Sequence, residues 1–173
     1  VVALALHVDI WDYIGWEDSF ARPENTARQR GYAEAGGRDM IYTPQMIVNG
    51  TDAVLGTHPA EVTTLIRAHA ATAPPVTLEV TRREGRLSVT ARAAPGASGT
   101  CTVRLARYRP ESTVDILRGE NAGRTLSYAN VVTGMRPIAN WDMDAPLDID
   151  VPLEGDLPAV VIIQKDRFGP VQA

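Results

Sequence analysis

The segment from Tyr42 to Gly50, Tyr-Thr-Pro-Gln-Met-Ile-Val-Asn-Gly, constrains the fold of this chain more than any other part of it. The apolar run after the proline predicts a strand over 45–48. Asn49-Gly50 is a strong signal for a tight β-hairpin, because both central residues of a type I′ turn need a positive φ. A second strand is therefore expected over 53–55. We predict a cis Thr43–Pro44 bond at the entry to the first strand; the alternative is a trans proline at a strand edge.

Helices are predicted on both sides of this hairpin. The first covers Glu24 to Ala35, starts near Pro23 and ends at Gly36-Gly37. The second opens at Thr57-His58-Pro59, because proline is tolerated in the first turn of a helix. Apolar spacing of i, i+3, i+4 and i+7 gives the second helix one buried face, formed by Val62, Leu65, Ile66 and His69.

The start of the chain, Val1 to Ile10, is a nearly continuous apolar run and predicts a strand of a parallel sheet, covered on both faces. The resulting order of strand, helix, hairpin and helix is that of the second half of a thioredoxin fold. We therefore predict an α/β thioredoxin-like domain over 1–73, lacking the first strand and first helix of that fold.

The pattern changes after Ala73-Pro74-Pro75, which reads as a domain linker. Apolar and polar residues then alternate in short runs separated by Gly- and Pro-containing turns, which indicates about seven antiparallel strands. An all-β sandwich-like domain is predicted over 76–173. The predicted strands are 76–82, 86–92, 100–107, 113–117, 125–132, 147–151 and 159–164.

Composition excludes several classes of function. The chain has 173 residues and a formal charge of −4, and it has no basic cluster of the kind that nucleic-acid binding needs. Its apolar runs are far shorter than the ~20 residues of a membrane span. One Cys and three scattered His offer no metal-ligand spacing. We expect no bound metal, no cofactor, no nucleic-acid partner and no membrane span.

Three segments carry a closer resemblance: His7 to Phe20, Thr26 to Ala33, and Tyr42 to Gly50. A fourth, from Arg118 through Glu120 to Val132, extends it into the second half of the chain. These segments resemble a family of secreted, thioredoxin-like proteobacterial proteins of uncharacterised function. Members of that family usually begin with a signal peptide, a strand and a Cys-x-x-Cys helix.

This resemblance implies a thiol–disulfide oxidoreductase whose catalytic cysteines lie upstream of residue 1. It also implies a periplasmic or secreted protein, although no signal peptide is visible in this chain. The partners would be protein or peptide thiols and disulfides. A non-catalytic protein- or peptide-binding module on a thioredoxin scaffold is the alternative, since these residues contain no thiol pair. Enzyme activity would require the upstream Cys-x-x-Cys.

No residue of this chain is predicted to be catalytic by itself, but six are candidates for the site. His7 and Asp9 share one face of the first predicted strand and would tune an upstream dithiol or move a proton. Their alternative roles are a hydrogen-bonded core histidine and a cap on the following loop. The candidates for substrate binding are Thr43, Pro44, Trp11 and Trp16.

Two further features are given structural roles. The acidic residues Asp12, Glu17 and Asp18 lack the regular spacing of a calcium loop and predict a solvated acidic loop. Cys101, between two threonines in a predicted strand, is expected to be a buried, inert thiol. The aromatic residues around this acidic loop would form an apolar rim for a peptide or simply cover the sheet edge.

Overall fold

The computed structural model describes residues 1–119 and 121–173, so that Glu120, one of the residues carrying the family resemblance, lies outside the described residues. A short 3-10 turn at Asp12–Ile14 precedes two helices, α1 (Pro23–Ala35) and α2 (Pro59–Ala70). The strands are β1 (Gln45–Val48), β2 (Asp52–Leu55), β3 (Val76–Arg83), β4 (Arg86–Ala93), β5 (Cys101–Asp115), β6 (Thr125–Trp141), β7 (Leu147–Pro152) and β8 (Ala159–Lys165).

The described chain divides into two compact units. The first comprises Val1–Met40, Ala106–Met135 and Leu157–Val160; the second comprises Ile41–Leu105, Arg136–Asp156 and Val161–Ala173. The strands form three sheets in the part of the chain that the structure describes, with orders β1-β2, β3-β4-β7 and β6-β5-β8. The boundary predicted at 73–75 lies within the second unit. The division into domains 1–73 and 76–173, with a sandwich in the second, stays a prediction.

The start of the chain differs from its prediction. Residues 1–10 form no regular strand; Ala5 makes an isolated parallel bridge to Val131 of β6. Val1 and Val2 are 97% and 60% exposed, so the apolar run is not covered on both faces. The sequence shows how apolar this segment is, but a strand buried on both faces also needs other elements packed against each face of its sheet.

Helix α1 follows its sequence signals closely. Pro23 stands in the first turn, where its missing N–H is not needed, and the helix ends at Gly36. Its inward side is formed by small and polar residues rather than by large apolar ones: Asn25, Thr26, Gly31 and Ala33. Two of these polar side chains reach back to the preceding loop, so α1 positions that loop by hydrogen bonds as well as by packing.

The hairpin in the second unit is confirmed. β1 and β2 pair antiparallel from Gln45↔Leu55 to Val48↔Asp52, and Asn49 and Gly50 have positive φ values of 51° and 73°. The Thr43–Pro44 bond is cis, as predicted. Helix α2 follows with Val62 buried on its predicted inner face.

The remaining strands confirm the alternation but not the predicted number. β3, β4 and β7 are antiparallel, and Leu87, Val89 and Ala91 of β4 are all buried. The two runs predicted at 100–107 and 113–117 are one strand, β5, which continues through Pro110. Tyr108 N–H donates to Pro158 O, just before β8 begins. Pro110 follows two residues later, and a proline is tolerated in a strand where no ladder hydrogen bond needs its N–H.

Candidate functional site

A histidine–carboxylate pair lies in the first unit. The Nδ1 atom of His7 is 2.5 Å from Oδ2 of Asp18, and the two side chains are 11% and 29% exposed. The backbone around His7 is held as well: its carbonyl accepts from the side-chain amide of Asn25 at 2.8 Å and from Arg22 N–H at 3.2 Å. The start of α1 therefore positions the imidazole, and the loop ending at Asp18 supplies its partner.

Two aromatic rings enclose the same imidazole. Phe20 and Tyr128 meet His7 edge to face, with ring centroids 5.5 and 4.6 Å away, and contact each other at 5.9 Å. We call these three rings with Asp18 the His7 cluster. Edge-to-face contacts hold an imidazole in one orientation without using its nitrogens. No hydrogen bond to Nε2 of His7 occurs among residues 1–119 and 121–173.

The electrostatics of the His7 cluster favour an ionised Asp18. Burial acts to raise the pKa of Asp18, but the hydrogen bonds from His7 and from Phe20 N–H, with the nearby imidazole charge, outweigh it and lower that pKa. Burial, with a smaller contribution from the Asp18 charge, raises the pKa of Tyr128. An ionised carboxylate only accepts hydrogen bonds, so His7 carries a proton on Nδ1 and, when neutral, keeps Nε2 as its basic nitrogen.

Asp9 is engaged elsewhere. Its Oδ1 accepts from the hydroxyl of Thr26 on α1 at 2.5 Å, and its own N–H donates to the same hydroxyl at 3.2 Å. Thr26 is 4% exposed. Asp9 therefore ties its loop to α1, and it does not share the partner of His7, although the two residues were predicted to lie on one face of a strand.

The loop between His7 and α1 exposes apolar side chains. Trp11, Tyr13 and Ile14 are 47%, 79% and 57% exposed. Trp16 is half-buried, and a Cβ at Gly119 would come within 3.3 Å of its Cβ. Of the two predicted aromatic candidates, Trp11 is therefore accessible to a partner while Trp16 packs closely against a second loop of the same unit.

The acidic loop was predicted to be solvated, which holds for Glu17 but not for Asp18. Asp18 is half-buried against His7, and its N–H donates to Oδ1 of Asp12 at 3.2 Å. Glu17 is exposed. Asp18 and Tyr128 are the members of the His7 cluster that sequence reasoning missed as site residues. Asp18 is 11 residues from His7 and no local motif joins them, so only the folded chain reveals the pair.

The predicted substrate-binding residues Thr43 and Pro44 belong to the second unit, where both are exposed at the entry to β1. The carbonyl of Pro44 accepts from Gly56 N–H at 2.8 Å, and a Cβ at Gly56 would lie 3.2 Å from that of Pro44. The glycine thus allows the end of β2 to pack directly on the proline, which fixes the backbone that presents Thr43.

The thiol of this chain is inaccessible. Cys101 is 0% exposed, and its Sγ is 3.6 Å from Sδ of Met143. Burial is the main cause that raises the pKa of this thiol. The charge of Lys165 acts to lower that pKa, and the charge of Asp166 acts to raise it. A protonated, buried thiol is a poor nucleophile, as the sequence predicts.

Two other histidines pair with carboxylates in the second unit. His69 Nε2 is 2.6 Å from Oδ2 of Asp52, which joins the last turn of α2 to β2, and His58 Nδ1 is 3.3 Å from Glu61 in an exposed pair. Within the described residues, no group of three or more His, Cys, Asp or Glu side chains is placed to hold a metal ion. Nor does any helix there reach the length and apolarity required to cross a bilayer.

Comparison with known proteins gives a family and a structural relative. A family described as "Protein of unknown function (DUF1223)" matches residues 1–164. The fold is similar to the crystal structure of a structural-genomics protein from Agrobacterium tumefaciens, with 30% sequence identity and a TM-score of 0.81, covering 100% of this chain and 77% of that one. No match is found among curated proteins.

Proposed function

We propose a thiol–disulfide function for this chain, which belongs to the DUF1223 family of proteins of unknown function. In this proposal the chain is part of a thioredoxin-like protein of the cell envelope, periplasmic or secreted. Its catalytic cysteine pair lies in a segment that precedes residue 1. The substrates are disulfides or dithiols of proteins and peptides.

One observation carries the proposal: the order along the chain of α1, Thr43-Pro44, the β1–β2 hairpin and α2. This order is expected of the second half of a thioredoxin fold, where the residue before the proline presents its backbone to an extended substrate by strand addition. Thr43 and Pro44 are both exposed, in keeping with that role.

The His7 cluster supports a role in proton transfer. With Asp18 fixing the proton on Nδ1, Nε2 of His7 can take a proton from a thiol and leave the thiolate that attacks a disulfide. The attack forms a mixed disulfide and releases one substrate thiolate. The second protein thiolate then attacks the protein sulfur of the mixed disulfide and releases the other substrate thiolate. Two protons pass from the protein dithiol to the substrate, in part through His7.

The test is an insulin-reduction assay on the full-length protein, including the residues encoded before Val1. We expect turnover that is lost when either upstream cysteine is replaced by serine. His7→Asn should lower the rate and flatten its pH profile, whereas His58→Gln should change neither, since His58 lies in an exposed pair. An upstream segment without a cysteine pair, or a folded full-length protein without exchange activity, overturns the proposal.

The second candidate, a non-catalytic peptide-binding module, is favoured by the exposed side chains of Trp11, Tyr13 and Ile14. It is tested by tryptophan fluorescence during titration with a reduced, alkylated unfolded protein. Trp11→Ala should weaken binding, and Met40→Ala, at a residue of the same unit that is 79% exposed, is the matched control. Equal affinity of both variants and the unaltered chain rejects this candidate.

A further inference from the structure

Residues 169–173, here called the C-terminal segment, lie along the end of β8. Ile163 N–H donates to the carbonyl of Ala173 at 2.9 Å, and the Ile163 carbonyl accepts from Gln172 N–H at 2.7 Å. Lys165 N–H donates to Pro170 O at 3.0 Å. Gln172 is 7% exposed. The segment therefore adds an ordered, partly buried strand-like element to β8.

The same segment also contacts the turn of the β1–β2 hairpin. Val171 N–H donates to Asn49 O at 2.9 Å. A Cβ at Gly50 would lie 2.8 Å from the carbonyl of Gly169 and 3.0 Å from Val171 N, which is closer than a side chain tolerates. The C-terminal segment thus fits a receiving surface formed by β8 and this glycine turn, all within the second unit.

The turn that connects β8 to the segment is strained. Arg167 and Phe168 have φ values of +56° and +58°, and Gly169 N–H donates to Asp166 O at 3.3 Å. Two consecutive positive φ values are those of a type I′ turn, for which Asn-Gly is strongly preferred. A Cβ on both residues makes this closed turn unfavourable relative to an extended linker.

We propose that the C-terminal segment exchanges between two copies of this chain, giving a domain-swapped dimer. Each copy then inserts residues 169–173 against β8 and Gly50 of the other, where they make the contacts that they make within one chain. Arg167 and Phe168 become extended, so each dimer relieves two strained turns. The partner is a second copy of this chain, because exchange of the C-terminal segment between identical chains keeps the contacts of that segment while the turn at Arg167 and Phe168 opens.

The first test is size-exclusion chromatography with light scattering after incubation at millimolar concentration. We expect a slowly exchanging dimer, and its fraction should fall about tenfold in the double variant Arg167→Asn/Phe168→Gly, since a tenfold change needs only a modest relief of strain. The matched control is Glu84→Asn, in the β3–β4 turn, where Glu84 and Gly85 have φ values of +46° and +75°. That variant should leave the dimer fraction unchanged.

The second test separates exchange from simple association. In the double variant Asn49→Cys/Val171→Cys, a disulfide between position 49 of one chain and position 171 of another, identified by mass spectrometry of the linked peptides, forms only if the segment has crossed to the other copy. The dimer fraction on a non-reducing gel should then equal that measured by chromatography. A protein that stays monomeric throughout, a dimer that runs as uncrosslinked monomers, or a dimer insensitive to the Asn-Gly turn each overturns the proposal.

Discussion

Gly50 and Gly85 offer a direct measurement of how much close packing adds to the cost of a positive φ. Their φ values, +73° and +75°, are nearly the same. A Cβ at Gly50 would meet the carbonyl of Gly169 at 2.8 Å and Val171 N at 3.0 Å, whereas a Cβ at Gly85 would meet nothing within 4 Å. Replacing each by alanine therefore imposes the same backbone penalty but very different contacts.

The expected magnitudes follow from that comparison. Gly85→Ala should lower the free energy of unfolding by about 1–2 kcal/mol, the cost of a Cβ in the left-handed region. Gly50→Ala should lose that amount and a further ~1–3 kcal/mol, because the crowding atoms belong to backbone that must shift. Its total loss is then about 2–5 kcal/mol.

The measurement is urea unfolding of the two variants and of the unaltered chain, monitored by tryptophan fluorescence and by far-UV circular dichroism. It gives the loss in free energy of unfolding for each variant. Agreement between the two probes establishes that one transition is being compared. Losses that agree within about 0.5 kcal/mol would refute the prediction, because they would show that the C-terminal segment does not crowd Gly50.

Three further outcomes are expected. Asp18→Asn should cost ~1.5–3 kcal/mol at neutral pH, the range for a hydrogen bond to a charged group. Folding lowers the pKa of Asp18, so the contribution of Asp18 to the free energy of unfolding is fully present above the pKa of the unfolded state. That contribution is lost as the pH falls through the lower pKa of the folded state. Urea unfolding at acid pH should therefore give similar free energies of unfolding for the variant and the unaltered chain. Cys101 should react with a thiol reagent only in denaturant; rapid reaction of the native chain would contradict its burial. Trp141→Phe should cost roughly 1–3 kcal/mol, because its indole N–H donates to Ala145 O at 2.7 Å; an unchanged unfolding midpoint would show that this bond contributes nothing.

Local signals in the sequence were sufficient to predict the two helices and the hairpin. Pro23, Gly36 and Asn49-Gly50 act within a few residues of their own positions, so their consequences can be read without knowing the rest of the fold. The apolar run over 1–10 could not be read in this way, because its fate depends on a neighbour, Val131, more than a hundred residues away.

The candidate site was predictable only in part. His7 was identified from its place at the end of an apolar run, but its partner Asp18 and its contact Tyr128 are brought to it by loop and strand geometry. Asp9 was predicted to lie beside His7 because of the period of a strand that does not form. In the structure, Asp9 accepts a hydrogen bond from the hydroxyl of Thr26 instead. Tertiary hydrogen bonds of this kind have no periodic signature.

The contact between the start of the chain and β6 has a consequence for solubility. β6 is the outer strand of its sheet, and bare strand edges recruit other chains into aggregates. Ala5 N–H donates to Asn130 O and Ala5 O accepts from Val132 N–H, both at 2.9 Å, while the Asn130 amide donates to Ala3 O. The backbone around Ala5 thus covers the edge of β6 beside Val131 and Val132, and Pro137, which has no N–H, lies further along the same strand.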